Sequence, residues 1–195
     1  MKKFALLLFL FFPLLANKAR QDLNKQQPQS THWNIAFTSG YVFKHDKSDF
    51  RENFNNGIQN IITVDCYYNF LESLAVGTKV SYWKTKTHGT FLINPAKLQE
   101  VPLTFYLRTN LNPGKSFQPY ISLGGGAIFL VEKEFQKTIK ESKGIGEFEL
   151  GLNWLLTRNF NITGAFRYLF PRETFNKQKA DIGGFDLRAG IGFSY

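Results

Sequence analysis

A chain of 195 residues is long enough for one domain built around a single core or barrel and too short for two of ordinary size. Its 21 Phe, 8 Tyr and 16 Gly, beside one Met, suit many strands and tight turns better than a helical bundle. The formal charge of +9 is spread thinly among interleaved acids, with no reading element for nucleic acid, and the lone Cys66 excludes an internal disulfide framework.

In chain order, Lys2 and Lys3 precede the apolar run FALLLFLFFPLLA, the charged start and short core of a secretory signal. Residues 1–19 are expected to be that signal, with cleavage near Ala16 or Ala19, and 20–31 to be a flexible mature N-terminus. No later run is long and apolar enough to predict a membrane helix.

From residue 32 onward the chain alternates with a period of two, the spacing that sends successive side chains to opposite faces of a sheet. In HWNIAFTSGYVFK, Trp33, Ile35, Phe37, Tyr41 and Phe43 oppose Asn34, Ala36, Thr38, Gly40 and Lys44. The same alternation predicts strands over 62–70, 74–82, 101–110, 118–130, 147–154, 160–170 and 184–195, eight in all. Each is close to the roughly ten residues a tilted transmembrane strand needs. The connections at 72–73, 112–116 and 157–159 are tight, whereas those near 45–57, 86–98, 132–143 and 171–182 are long and charged.

The two faces decide between a soluble barrel and a membrane barrel. One is predominantly apolar and holds aromatics at both ends: Trp33, Phe70, Trp154, Phe160, Phe193 and Tyr195 at one, Tyr41, Phe43, Tyr82, Phe129, Phe148, Tyr168, Phe170 and Phe185 at the other. Those positions match interfacial belts. The other face is rich in glycine and nearly charge-balanced, with Lys44, Lys79, Arg108, Arg167 and Arg188 against Asp65, Glu147, Glu149 and Asp186. Such charges can pair inside a closed cylinder, while facing hydrocarbon each would cost about 2–4 kcal/mol. The reading is an all-β, eight-stranded antiparallel up-and-down transmembrane β-barrel over 32–195, with short periplasmic turns and long extracellular loops.

The stretch Arg188-Ala-Gly190-Ile-Gly-Phe193-Ser-Tyr195 looks like the C-terminal assembly signal of outer-membrane barrels, with tyrosine where phenylalanine is favoured. Together with Val101-Pro-Leu103 opening a strand, and Gln118-Pro-Tyr-Ile-Ser-Leu-Gly-Gly-Gly126 after an Asn-Pro-Gly turn, it makes the mature chain resemble the small eight-stranded outer-membrane barrels of the A, X and W types. That resemblance implies residence in the bacterial outer membrane, a periplasmic N-terminus, and contact with outer-membrane lipid, lipopolysaccharide and the barrel-assembly machinery. It leaves open functions from adhesion to passage of small hydrophobic compounds and lipid-modifying catalysis.

An interior ringed by eight strands can be filled by side chains, so a charge plug and no wide pore is expected. Above it, Val42, Ile61, Trp83, Ile128, Leu130 and Leu169 point inward near the outer mouth, as packing over the plug or as a candidate apolar cup for hydrophobic molecules. His45 with Asp46 and Ser48, and His88, are the residues an enzyme would draw on, but a loop histidine is usually only solvated, so no catalytic residue is assigned. Three scattered histidines give no metal spacing, and no cofactor is expected. The long loops carry many lysines and arginines, Lys47, Arg51, Lys84 and Lys140 among them, suited to lipopolysaccharide phosphates or an anionic host ligand. A monomer acting in surface interaction, adhesion or envelope structure is the expectation.

Overall fold

The computed structural model describes residues 32–44, 58–86, 97–134, 137–171 and 184–195. They form eight strands: β1 (His32–Lys44), β2 (Ile58–Asn69), β3 (Leu74–Lys86), β4 (Lys97–Asn110), β5 (Phe117–Glu134), β6 (Lys137–Leu155), β7 (Phe160–Pro171) and β8 (Gly184–Ser194). Each pairs antiparallel with its neighbour in sequence, and β8 returns to β1 through pairs such as Phe37↔Ile191, so the sheet closes on itself. Closure leaves no edge of unpaired backbone in the wall, the condition for a sheet to cross hydrocarbon.

The alternation read from the sequence becomes inside and outside. Phe105, Ile62, Leu123 and Leu187 stand among the outward large apolar residues, and Asp65, Lys79, Arg108, Glu147, Glu149, Arg167, Asp186 and Arg188 are buried inward. Between the two aromatic rings, the outward wall positions among the described residues carry no charged side chain. A soluble barrel would show the reverse, so this wall is built to stand in lipid.

At the tight-turn end the closure is stitched by backbone bonds. Tyr195 N–H donates to Trp33 O at 2.9 Å and Ser194 N–H to Asn159 O at 3.0 Å. Gly114, at φ 75°, supplies the left-handed residue of the β4–β5 turn.

Two features depart from the sequence reading. The span near 132–143, expected as a long loop, is mostly strand: β5 runs 18 residues and β6 19, paired up to Glu134↔Lys137. Among the described residues β7 joins β6 from Ile145↔Pro171 downward, so the hairpin extends beyond the described part of β7. Its alternation was obscured by its lysines and glutamates. The second departure is local. The β3–β4 ladder runs from Leu74↔Thr109 to Val80↔Leu103 and resumes at Trp83↔Glu100 in the same register, leaving Ser81 and Tyr82 unpaired opposite Pro102 and Val101. Proline has no N–H to donate, so the ladder skips it without shifting. The signal segment 1–19, the N-terminal 20–31, and the loop residues His45, Asp46, Lys47, Ser48, Arg51 and His88 lie outside the described residues.

Candidate functional site: the filled lumen

β3 sends Lys79 inward across the barrel, where its Nζ reaches Glu147 Oε1 at 3.0 Å and Glu149 Oε2 at 2.6 Å on β6. These two glutamates then gather the remaining cations. Arg188 Nη2 on β8 ion-pairs with Glu149, and its Nε lies 2.6 Å from Asp186 Oδ1. Arg167 on β7 places Nε 2.7 Å from Asp186 Oδ2 and Nη1 3.5 Å from Glu147 Oε2, and its Nη2 donates to Ser81 Oγ at 3.0 Å. Every one of these charged side chains is at most 2% exposed. Because ions taken out of water are costly unless paired and hydrogen-bonded, the sharing of each carboxylate among several donors is what lets them stay charged here.

Neutral groups complete the network. Thr104 Oγ1 donates to Glu147 at 2.8 Å, Tyr120 OH to Glu149 at 2.9 Å, and Tyr106 OH to Asp65. Glycines make room for the two tyrosine rings: a Cβ on Gly77 would stand 2.5 Å from Cζ of Tyr106, and one on Gly151 would overlap the Tyr120 ring. Arg108 is different. Among the described residues no carboxylate lies within ion-pair distance of it. Its guanidinium is instead sandwiched, 3.5 Å from the Tyr120 ring centroid and 4.4 Å from that of Tyr67, with Nε donating to Asn110 Oδ1 at 3.0 Å. The sequence reading counted Arg108 among opposite charges and missed these aromatic partners, although Tyr67 and Tyr120 both fall on the inward parity of their strands. Lys44 belongs to β1, but its side chain lies outside the described residues.

Above the charges, Val42, Ile61, Trp83, Ile128, Leu130 and Leu169 meet with Ile145 in one cluster, each at most 5% exposed. They pack against one another as a cap on the charged layer. Ile145 went unseen because residues up to 143 read as loop. Among the described residues, Trp83 Nε1 and both polar atoms of the Gln59 carboxamide have no hydrogen-bond partner. Among the described residues no cluster of three or more His, Cys, Asp or Glu could hold a metal ion.

The four residues of the terminal motif do separate work. Arg188 is inside the ion network, Phe193 faces outward with its ring 5.4 Å from that of Phe160, and Tyr195 is exposed. Gly190 lies where a Cβ would collide with the Phe37 carbonyl of β1.

No family model and no curated protein matches the chain. Solved structures do match. The outer membrane protein OprG from Pseudomonas aeruginosa aligns at 12% identity over 86% of this chain and 97% of that one, with a TM-score of 0.65. The fold is that of the small eight-stranded outer-membrane barrels. Neisserial surface protein A aligns at 10% identity over 87% of this chain and all of the other, with a TM-score of 0.59. Ail, the attachment invasion locus protein of Yersinia pestis, solved with the heparin analogue sucrose octasulfate, aligns at 14% identity over 85% of this chain and 97% of Ail, with a TM-score of 0.54. At these identities the likeness is one of architecture, and this lumen chemistry has to be read from its own residues.

Proposed function

We propose that this chain is a non-conducting outer-membrane barrel, periplasmic at its tight turns, that acts in surface interaction or adhesion through its outer end. The observation that carries the reading is the bridge from Lys79 on β3 to Glu147 and Glu149 on β6, which spans the lumen and is joined there by Arg167 and Arg188. A solute would have to part several buried ion pairs to pass, and the apolar cluster above them adds a second obstruction. Passage of small hydrophobic molecules is opposed by the same two layers.

With the lumen closed, the surfaces left to meet a partner are the loops and the raised β5–β6 hairpin, where Lys140 is exposed. The heparin-analogue complex of Ail is an instance of an anionic sugar ligand on a barrel of this architecture, and the basic outer end of this chain suits partners of that charge.

The test is planar-bilayer conductance of the refolded protein, after an unboiled gel shift has verified closure. A silent barrel is expected. Steady, discrete channels from closed protein would overturn the plug and put solute passage first.

A further inference from the structure

Charge is sorted by face where β3, β4, β5 and β6 run past the outer aromatic ring. Tyr82, Val101, Phe129 and Ser142 lie side by side across these four strands, on the lipid-facing parity. One alternation step further out, the register sets Lys84 beside Gln99, Val131 and Lys140, and one step beyond that Lys86 beside Lys97, Lys133 and Thr138. These two rows contain five lysines and no acid. The alternate positions of the same segments, on the lumen-side parity, carry both signs: Glu100, Glu132, Glu134 and Glu141 with Lys137 and Lys143. The basic face is also one-sided. Among the described residues, the outward positions at this end of β1, β2, β7 and β8 carry no charge, and the outermost of them are Phe43, Ile58, Phe170 and Phe185.

Solvation of the strands would require neither the segregation nor the one-sidedness. Like charges directly opposite on neighbouring strands destabilise a sheet, and Lys86, Lys97 and Lys133 stand three in a row at the strand spacing of about 4.8 Å. An anion lying among them removes that repulsion, and an ammonium binds phosphate as a point charge without a fixed geometry. Lys84 and Lys140 are exposed, and between them the Gln99 carboxamide donates to Tyr82 OH at 3.4 Å, so the lower row also offers hydrogen-bonding groups to a sugar.

The rows lie about 7 and 14 Å along the strands from the aromatics, which places them at headgroup level beside the wall. An occupant reaches them sideways, in the plane of the membrane, and needs anionic groups at two heights. A phospholipid, with its one phosphate, serves a single row. A glycolipid phosphorylated on its sugars serves both.

We infer that the outward face of β3–β6 beyond Tyr82 and Phe129 is a binding site for the sugar phosphates of lipopolysaccharide in the outer leaflet. The assignment to that leaflet rests on the proposed outward placement of this end; binding in detergent does not depend on orientation, so the two can fail separately. Any lipid offers acyl chains to a barrel wall, and only the phosphates would tell this face from the rest of the circumference.

The experiment therefore holds the acyl chains constant. Native mass spectrometry of the refolded barrel in mild detergent is run with an equimolar mixture of diphosphorylated and monophosphorylated lipid A of the same acylation, after an unboiled gel shift has verified closure of each variant. Wild type should retain the diphosphorylated form in about tenfold preference. Lys84→Gln with Lys97→Gln and Lys140→Gln should abolish that preference, with Lys84→Gln and Lys140→Gln alone as the milder variant should the triple not close. Lys115→Gln with Arg158→Gln, which removes charge at the tight-turn end, should leave it intact. Equal retention of both forms by wild type, or a preference that survives the lysine changes, would reduce the face to ordinary lipid contact and overturn the site. Displacement of the lipid by a short heparin fragment that itself binds more tightly, and only with the lysines present, would overturn the lipid assignment in favour of a soluble polyanion.

Discussion

Glu149 is the residue on which the lumen turns, because it accepts from Lys79, Arg188 and Tyr120 at once. Glu149→Gln keeps the shape but leaves two buried cations short of a counter-charge, and removing one member of a buried pair costs about 3–5 kcal/mol. Urea unfolding in lipid vesicles should show a loss of that order. Glu149→Gln combined with Arg188→Met should lose less than the sum of the two single variants, since the second change removes a cation the first had stranded. Additive losses would mean that the two side chains do not share the pair described. The identities of the charges in this network were legible from strand parity, because parity fixes which face a side chain takes. Their partners were not. Lys79 is directly opposite Asp65 in register yet bonds to β6, three strands away, and no local pattern carries that choice.

At the scale of elements, β8 joins what the C-terminal sequence suggests to what the barrel needs. Its outward Phe193 lies against Phe160 of β7, and the chain end bonds to β1. We propose that this face is also what the assembly machinery reads. In cells, Phe193→Ala with Tyr195→Ala should reduce the heat-modifiable, folded fraction several-fold, while the same protein refolded in detergent closes nearly as well as wild type. Equal losses in both settings would make the aromatics structural only. The strand count was readable because each transmembrane segment alternates cleanly. The extension of β5 and β6 was not, since past Leu130 the hairpin no longer answers to lipid on one face and a filled lumen on the other, and the period-two signal loses its physical cause.

For the whole molecule, orientation is what connects the lumen and the outer surface. Tight turns on one side and the raised hairpin on the other predict that a cysteine at Thr138, which is exposed on the hairpin, reacts with an impermeant maleimide in intact cells. One at Ser116, in the β4–β5 turn, should react only after the outer membrane is opened. Both belong in a Cys66→Ser background. Labelling in the opposite sense would invert the barrel.

The cross-lumen pairs also bear on how such a wall comes into being. Lys79 meets Glu147 and Glu149 only when β3 and β6 face each other, and Arg188 meets Glu149 only when β8 has arrived. A half-inserted sheet therefore shows hydrocarbon a row of ions whose counter-ions are still on unplaced chain. Each additional strand released into lipid before the ring shuts adds to that exposure. The cheapest route keeps the inward face wet and sheltered until the last strand is in place, so the network rewards a single late closing step over gradual growth within the bilayer.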